Sequence, residues 1–420
     1  MCINHILKDY PKLQTPYFLY CYDSIEKTAN ALLNSLPKES NLLFSVKANP
    51  NPSYLKILEE KGILFETASE GELMHLVNNN IAAHKIVCSG QGKTKSYFEA
   101  ALNLGVLAIN VESSRELSDL SKLSEALNKV ANILVRINPI FNNSESALIM
   151  GGAPSPYGID EDLFYKLIDV NNFTFNGLFM YAGSNYHNFE NIVSNTKYLF
   201  ELAERLYNTH SIKLKYLDFG GGFGVPEFNT DSELDITKMS NDLNYLFKQK
   251  LNLDCFSDVR KYFFESGRYL AARCAVLVTK VIDIKISRGK KFLILDGGIN
   301  CLGIKQFEYR RTEPKIELIK QNNCIESDLV EEVCLVGTTC TPIDISHKNA
   351  SLQHVEIGDL ICFKECGAYS LEFSPKSFCG QINPAEYIYK NRILYITRDY
   401  GDINKPYGSF LPMKIMKNGE

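Results

Sequence analysis

Short apolar runs alternate with longer amphipathic ones through the first two-thirds of the chain. The apolar runs at 42–46, 63–65, 85–88, 106–111, 131–137, 175–181, 214–219 and 261–264 are rich in Val, Ile, Leu, Phe and Tyr. Their length and composition predict eight strands. Helical stretches fall between them, with long amphipathic runs at 192–207 and 236–251. Ser69 with Glu72, and Ser113 with Glu116, have capping-box spacing. In such a box the hydroxyl accepts a free N–H of the first turn and the Glu reaches back. Eight strands alternating with helices predict a (β/α)8 barrel. A doubly wound sheet is the alternative, but it places its glycine-rich loop after the first strand. Here the glycines at 220–224 follow the seventh.

Beyond Arg268 the pattern changes. Strand-like runs at 275–286, 292–295, 330–336, 359–364 and 393–396 follow one another with few helical stretches between, which predicts a β domain. One further strand-like run, 16–22, precedes the barrel and is placed to complete that domain's sheet. The expected organisation is an N-terminal strand segment of the β domain over 1–30, a (β/α)8 barrel over 31–268, and a C-terminal β domain over 269–420. No internal repeat is visible, and the asparagine clusters at 78–80, 142–143 and 171–172 read as polar loops.

Composition narrows the class. The chain has 420 residues, 45% hydrophobic and 22% charged, with a net charge of −4. That balance is globular and excludes disorder, collagen and coiled coil, and it lacks the basic excess of a nucleic-acid binder. No signal peptide or apolar stretch of membrane-spanning length is evident, so no membrane partner is expected. The 12 cysteines carry no CxxC spacing, which argues against zinc and leaves no metal site expected. Unpatterned cysteines without an export signal read as a reduced, cytoplasmic protein.

Barrel active sites form at the C-terminal ends of the strands. In strand order these ends carry Lys47, Glu66, Ser89 with Gly90, Glu112, Arg136, Tyr181 to Ser184, the glycines at 220–224, and Glu265 to Arg268. Successive glycines let backbone N–H groups converge on a phosphate, although a tight turn is the plainer reading. Lys47 ends an apolar strand, where desolvation favours a nucleophilic amine, unless it only snorkels from the rim. Glu265 is either a solvated rim carboxylate or the partner of a pyridinium nitrogen. A lysine for an aldehyde, glycines for a phosphate and a carboxylate for a ring nitrogen together point to pyridoxal 5'-phosphate.

The blocks FSVKANPNP (44–52), FETASEGEL (65–73), DFGGGFG (218–224), ESGRYLAA (265–272), CTPID (340–344) and ECGAY (365–369) stand in this order along the chain. They resemble the fold-type III pyridoxal-phosphate decarboxylases, the ornithine and diaminopimelate decarboxylase group, from about residue 15 to 387. The resemblance implies that Lys47 forms the Schiff base with the cofactor and that Glu265 contacts its pyridine nitrogen. It implies that Gly221, Gly222, Gly267, Arg268 and Tyr369 hold the phosphate region. Arg136 and Ser184 join the cofactor site. Cys340 becomes the proton donor, supplied by the second subunit of a homodimer with shared active sites.

Departures from the family pattern bear on the substrate. Tyr181 stands where the family has a ring-stacking His, and Glu66 where it has an Asp. Thr341 replaces the acidic residue that meets a distal amine, with Asp344 three residues on as a possible substitute ligand. Residues 299–307 contain no Arg to grip a distal carboxylate. The blocks at 149–162 and 367–375 are similar to a subgroup acting on conjugated amino acids: carrier-linked glutamate in butirosin biosynthesis and citryl-diaminopropionate in staphyloferrin B biosynthesis. The expected function is a carboxy-lyase acting on a conjugated α-amino acid in siderophore or other secondary metabolism. Diaminopimelate decarboxylase of lysine synthesis is the alternative. An alanine racemase lacks the CTPID block, and a non-catalytic cofactor-binding homologue has no need of Cys340.

Overall fold

The computed structural model describes residues 6, 9–10, 12–141, 148–149, 151–170, 175–303, 305–309, 312, 314–321 and 329–404. The asparagine pairs at 142–143 and 171–172, and Met150 of the 149–162 block, lie outside them. The chain forms two compact units, one of residues 22–274 and the other of residues 1–21 with 275–420.

The first unit is a closed barrel. Its staves are β2 (Ser40–Ser45), β3 (Leu64–Thr67), β4 (Ile86–Cys88), β5 (Ala108–Val111), β6 (Ile133–Asn138), β9 (Gly177–Phe179), β11 (Tyr216–Asp218) and β12 (Lys261–Ser266). All neighbouring staves run parallel, and the circle closes where β12 pairs β2 and β5 pairs β6. Short strands β7 (Leu148–Ile149), β8 (Ile159–Asp160) and β10 (Gly183–Ser184) decorate the loops after β6 and β9. The helices between staves are α1 (Tyr22–Ser35), α2 (Pro52–Glu60), α3 (Glu70–Asn78), α4 (Lys95–Leu104), α5 (Ser114–Ala126), α6 (Glu161–Val170), α7 (Phe189–His210) and α8 (Ile236–Lys250).

Both expected capping boxes form. Ser69 Oγ accepts from the Glu72 N–H at 3.2 Å, and Ser113 Oγ from the Glu116 N–H at 3.1 Å. Each Glu reaches back one residue beyond the cap, to Ala68 N–H at 2.6 Å and Glu112 N–H at 2.9 Å. This fixes the loops leaving β3 and β5.

The two-residue period of a strand sorts the barrel interior into layers. Every stave contributes to one apolar layer: Leu43, Leu64, Val87, Ala108, Leu134, Phe179, Tyr216 and Phe263. Two residues further toward the C-terminal ends stand Ser45, Glu66, Ser89, Asn110, Arg136, Tyr181, Asp218 and Glu265, all polar or phenolic. Residues between the layers face the helices, as Phe44 does against Tyr54 at 5.5 Å between ring centroids.

The second unit is a mixed sheet. Its central path runs β17 (Ile345–Gln353), β16 (Val330–Val336), β14 (Lys290–Leu295), β13 (Ala275–Ser287), β1 (Tyr17–Cys21), β19 (Ala385–Lys390) and β20 (Ile393–Arg398). β18 (Leu360–Phe363) pairs β13 and β15 (Ile316–Ile319) off this path. The N-terminal strand completes the sheet as expected, antiparallel to β13 and parallel to β19. A core of Tyr17, Leu19, Val276, Val278, Leu360, Cys362 and Ala385 seals it there.

Candidate active site

The polar layer of the barrel gathers the residues that the strand ends predicted. Lys47 lies in a 3-10 turn, Val46–Ala48, directly after β2. It continues the inward series Leu43, Ser45, and its Nζ stands 3.5 Å from Glu66 Oε2. The lysine side chain keeps 48% of its surface exposed while Glu66 keeps 3%. An exposed amine over a buried carboxylate is the arrangement of a group open to an incoming ligand.

Arg136, at the end of β6, is buried and clamped. Its Nη1 donates to both Glu112 oxygens at 3.1 Å, and its guanidinium lies 4.9 Å from the Tyr157 ring centroid and 5.2 Å from that of Phe179. Glu112 also accepts from Gly158 N–H at 3.2 Å. Such a pair, hydrogen-bonded and set against two aromatic rings, fixes its cation in one orientation. Arg268 opens the one-turn helix Arg268–Ala271 behind its cap Gly267, and its Nη1 lies 2.5 Å from the buried Glu227 Oε2.

The glycine loop follows β11 and is packed from behind. A Cβ on Gly221 would fall 1.9 Å from the Glu265 carbonyl oxygen. On Gly222, at φ +91°, it would fall 2.6 Å from the Gly183 carbonyl and 2.6 Å from the Tyr186 ring. Only glycine fits, so the loop presents backbone alone, as a phosphate cradle does. Ser184 lies beside it in β10 and pairs with Leu148. Tyr181, half-buried, packs on the apolar layer.

Three carboxylates share this layer: Glu66 Oε2 faces the Lys47 amine, while Asp218 Oδ2 and Glu265 Oε1 are buried with no hydrogen-bond partner among the described residues. Burial and the neighbouring carboxylate push Glu265 well above the usual carboxylate range. Burial likewise pushes Asp218 up to about 7, against the Gly220 N–H that its Oδ1 accepts at 3.0 Å. Buried acceptors without donors are rare and call for a donor. A pyridinium N–H facing Glu265 supplies one, so these residues fit pyridoxal phosphate: Lys47 for the aldehyde, Glu265 for the ring nitrogen, and the glycine backbone with Arg268 for the phosphate. Bound there, the cofactor supplies an electron sink for the carbon–carbon bond that breaks.

Asp218 was read only as part of a sequence block. The two-residue period would have found it, because it lies two positions beyond the inward Tyr216. Glu112, a strand-end residue, and Glu227 hold the two arginines; burial next to a cation is invisible in a linear sequence.

The remaining candidates belong to the second unit. Tyr369 adopts φ +54°, an uncommon backbone for a bulky residue and a sign of an imposed geometry. Cys340 is exposed at the tip of the β16–β17 connection. Asp344 does not fit the substrate contact expected of it. It is buried, with Oδ1 accepting from Ile299 N–H at 2.8 Å and Gln306 Nε2 at 3.0 Å, and Oδ2 accepting from Thr339 N–H at 2.9 Å. It folds the loop that carries Cys340 and Thr341 and turns inward to do so. Asp344→Ala should leave these donors unsatisfied and destabilise the protein by about 2–4 kcal/mol, measured by urea unfolding. An unchanged midpoint would remove this scaffolding role.

Comparison with known proteins agrees with the geometry. Residues 22–272 match the family described as "Pyridoxal-dependent decarboxylase, pyridoxal binding domain". The chain is 33% identical to an L-glutamyl-[BtrI acyl-carrier protein] decarboxylase of Niallia circulans, over 93% of this chain and 92% of that protein. It is 30% identical to a diaminopimelate decarboxylase of Bacteroides thetaiotaomicron, over 85% and 91%. It is 29% identical to a 2-[(L-alanin-3-ylcarbamoyl)methyl]-2-hydroxybutanedioate decarboxylase of Staphylococcus aureus, over 89% and 94%. The fold is similar to that of diaminopimelate decarboxylase from Helicobacter pylori, with a TM-score of 0.84, 23% identity, and 96% and 98% of the two chains covered. The chain belongs to the pyridoxal-phosphate-dependent decarboxylases of fold type III, carboxy-lyases of amino acids.

Proposed function

We propose that this enzyme decarboxylates an α-amino acid whose far end is already joined to a larger group, within siderophore or other secondary-metabolite biosynthesis. The observation that carries this is the loop at 340–344. A free distal ammonium needs a carboxylate or water, since burying it unpaired is costly. Thr341 offers only a neutral hydroxyl, and Asp344 is spent on three internal donors. The segment 299–307 adds no arginine for a distal carboxylate, and its one cation, Lys305, is fully buried. Two of the relatives act, by their names, on a carrier-linked glutamyl group and on an amide-linked alanine unit. Both are amino acids with an acylated or thioester-linked end.

In this reading Lys47 anchors the cofactor and Glu265 holds a proton at its ring nitrogen. Tyr181 covers the ring face that a histidine covers elsewhere in the family. Gly221, Gly222, Gly267 and Arg268 receive the phosphate, with Glu66, Arg136 and Ser184 in the same barrel. Cys340 returns a proton to the α-carbon after carbon dioxide leaves, acting across the interface of a homodimer. Its exposure within one subunit supports that assignment. Among the described residues no helix is long and apolar enough to cross a membrane.

The test compares kcat/KM on free ornithine, lysine and meso-diaminopimelate with kcat/KM on citryl-linked diamino acids and glutamyl-loaded carrier protein. The conjugated substrates should exceed the free ones by about 10²-fold or more, the scale set by leaving a charge unpaired. Thr341→Asp should narrow that gap by raising activity on free ornithine. Efficient turnover of meso-diaminopimelate by the wild type would replace this reading with lysine biosynthesis.

A further inference from the structure

We infer that Asp218 is a positioning residue: it shares one proton with Glu265, and so keeps a proton at the ring-nitrogen position up to higher pH than a lone carboxylate would. This rests on the reading of Glu265 as the ring-nitrogen partner. The observations are geometric. Asp218 and Glu265 lie on adjacent parallel strands, with Asp218 opposite Phe263, two residues short of Glu265. Both side chains point into the same barrel layer and are buried to 0% and 3% exposure. Each has an oxygen without a donor among the described residues. Two acceptors placed together in a dry interior share a proton, because both cannot ionise cheaply.

The charged groups facing the pair come from every side of the barrel. Glu66 from β3 adds negative charge. Arg136 from β6 and Lys47 after β2 oppose it. Arg136 is already matched by Glu112. The layer therefore carries more carboxylate than cation, which favours retention of the proton.

The sign follows from linkage. A carboxyl raised in the folded state contributes stability that is fully present below its unfolded value and is lost as pH rises through the folded value. For this pair the loss builds as pH rises from about 4, the ordinary carboxylate value, to about 7, the value reached by Asp218, and levels off above it. Cofactor-free wild type should thus lose about 2–5 °C of Tm as pH rises from about 4.5 to about 7.5. In Asp218→Asn the midpoint of that loss should move down by about one pH unit or more. Infrared difference spectroscopy of the folded wild type should show a protonated-carboxyl C=O band that titrates at the upper end of that window. This second readout needs no variant to fold.

A merely structural role predicts a uniform loss of Tm at all pH values and an unmoved midpoint, which would overturn the inference. So would absence of the infrared band in the wild type. The reading of Glu265 is tested separately: Glu265→Gln should weaken pyridoxal phosphate binding by about tenfold or more. Unchanged binding there, with an intact shared proton, would fault the ring-nitrogen assignment and not the carboxyl pair.

Discussion

Lys47→Ala is expected to abolish the covalent attachment of pyridoxal phosphate and to lower kcat/KM by about 10³-fold or more, the scale of losing a positioned reacting group. Lys47 is the amine that continues the inward series of β2 and stands over the buried Glu66. Its 48% exposure leaves the amine within reach of an incoming aldehyde. The barrel itself should survive, since the lysine's neighbours Val46 and Ala48 carry the packing of that turn. Borohydride reduction followed by peptide mapping checks the assignment: wild type should yield one labelled peptide containing residue 47, and the variant none. A labelled lysine elsewhere in the variant would move the Schiff base to that residue.

Cys340→Ala is expected to leave cofactor binding intact and to lower kcat by about 10²-fold, the contribution of a positioned proton donor. The product should also lose stereochemical fidelity at the α-carbon, because water then competes to deliver the proton. The sharper measurement is complementation. If Lys47 and Cys340 serve one site from two subunits, mixing the Lys47→Ala and Cys340→Ala proteins regenerates native sites. Random exchange makes half of the dimers mixed, and each mixed dimer holds one intact site, so activity should return to about one quarter of wild type. No recovery under conditions where subunits exchange would place both residues in the same subunit's site. Unchanged kcat in Cys340→Ala would end its role as donor.

The barrel was legible because each stave needs a short apolar run buried on both faces, and such runs stand out between amphipathic helices. Their ends were less so. The run at 175–181 is longer than Gly177–Phe179 because Phe175 packs sideways on Phe164, at 5.4 Å between centroids. Three strands of the second unit escaped notice. Ile345–Gln353 shows why: it reads ISHKNASLQ, lies at the sheet edge, and buries only small or scattered side chains. Edge strands are rich in polar and charged residues, which hides them from a search for apolar runs. At the site, residue types at strand ends revealed Lys47, Glu66, Arg136 and Glu265. What the linear sequence hides is the pairing: Glu112 meets Arg136, Glu227 meets Arg268 and Asp218 stands beside the strand of Glu265 only in three dimensions. Asp344 makes the same point in reverse: its sequence neighbourhood favoured a ligand, while its three inward hydrogen bonds make it a brace.

The position of β1 has a consequence for biogenesis. Tyr17–Cys21 is made before the barrel, yet both of its sheet partners are made after it, first β13 and then β19. Residues 22–274 form a self-contained unit, so the barrel can close while synthesis continues. The opening strand must meanwhile wait, half-paired once β13 appears and fully paired only after Ala385–Lys390 is made. A nascent chain arrested before Ala385 should therefore hold a protease-resistant barrel and a protease-sensitive β1, and synthesis of Ala385–Lys390 is what locks that strand in place.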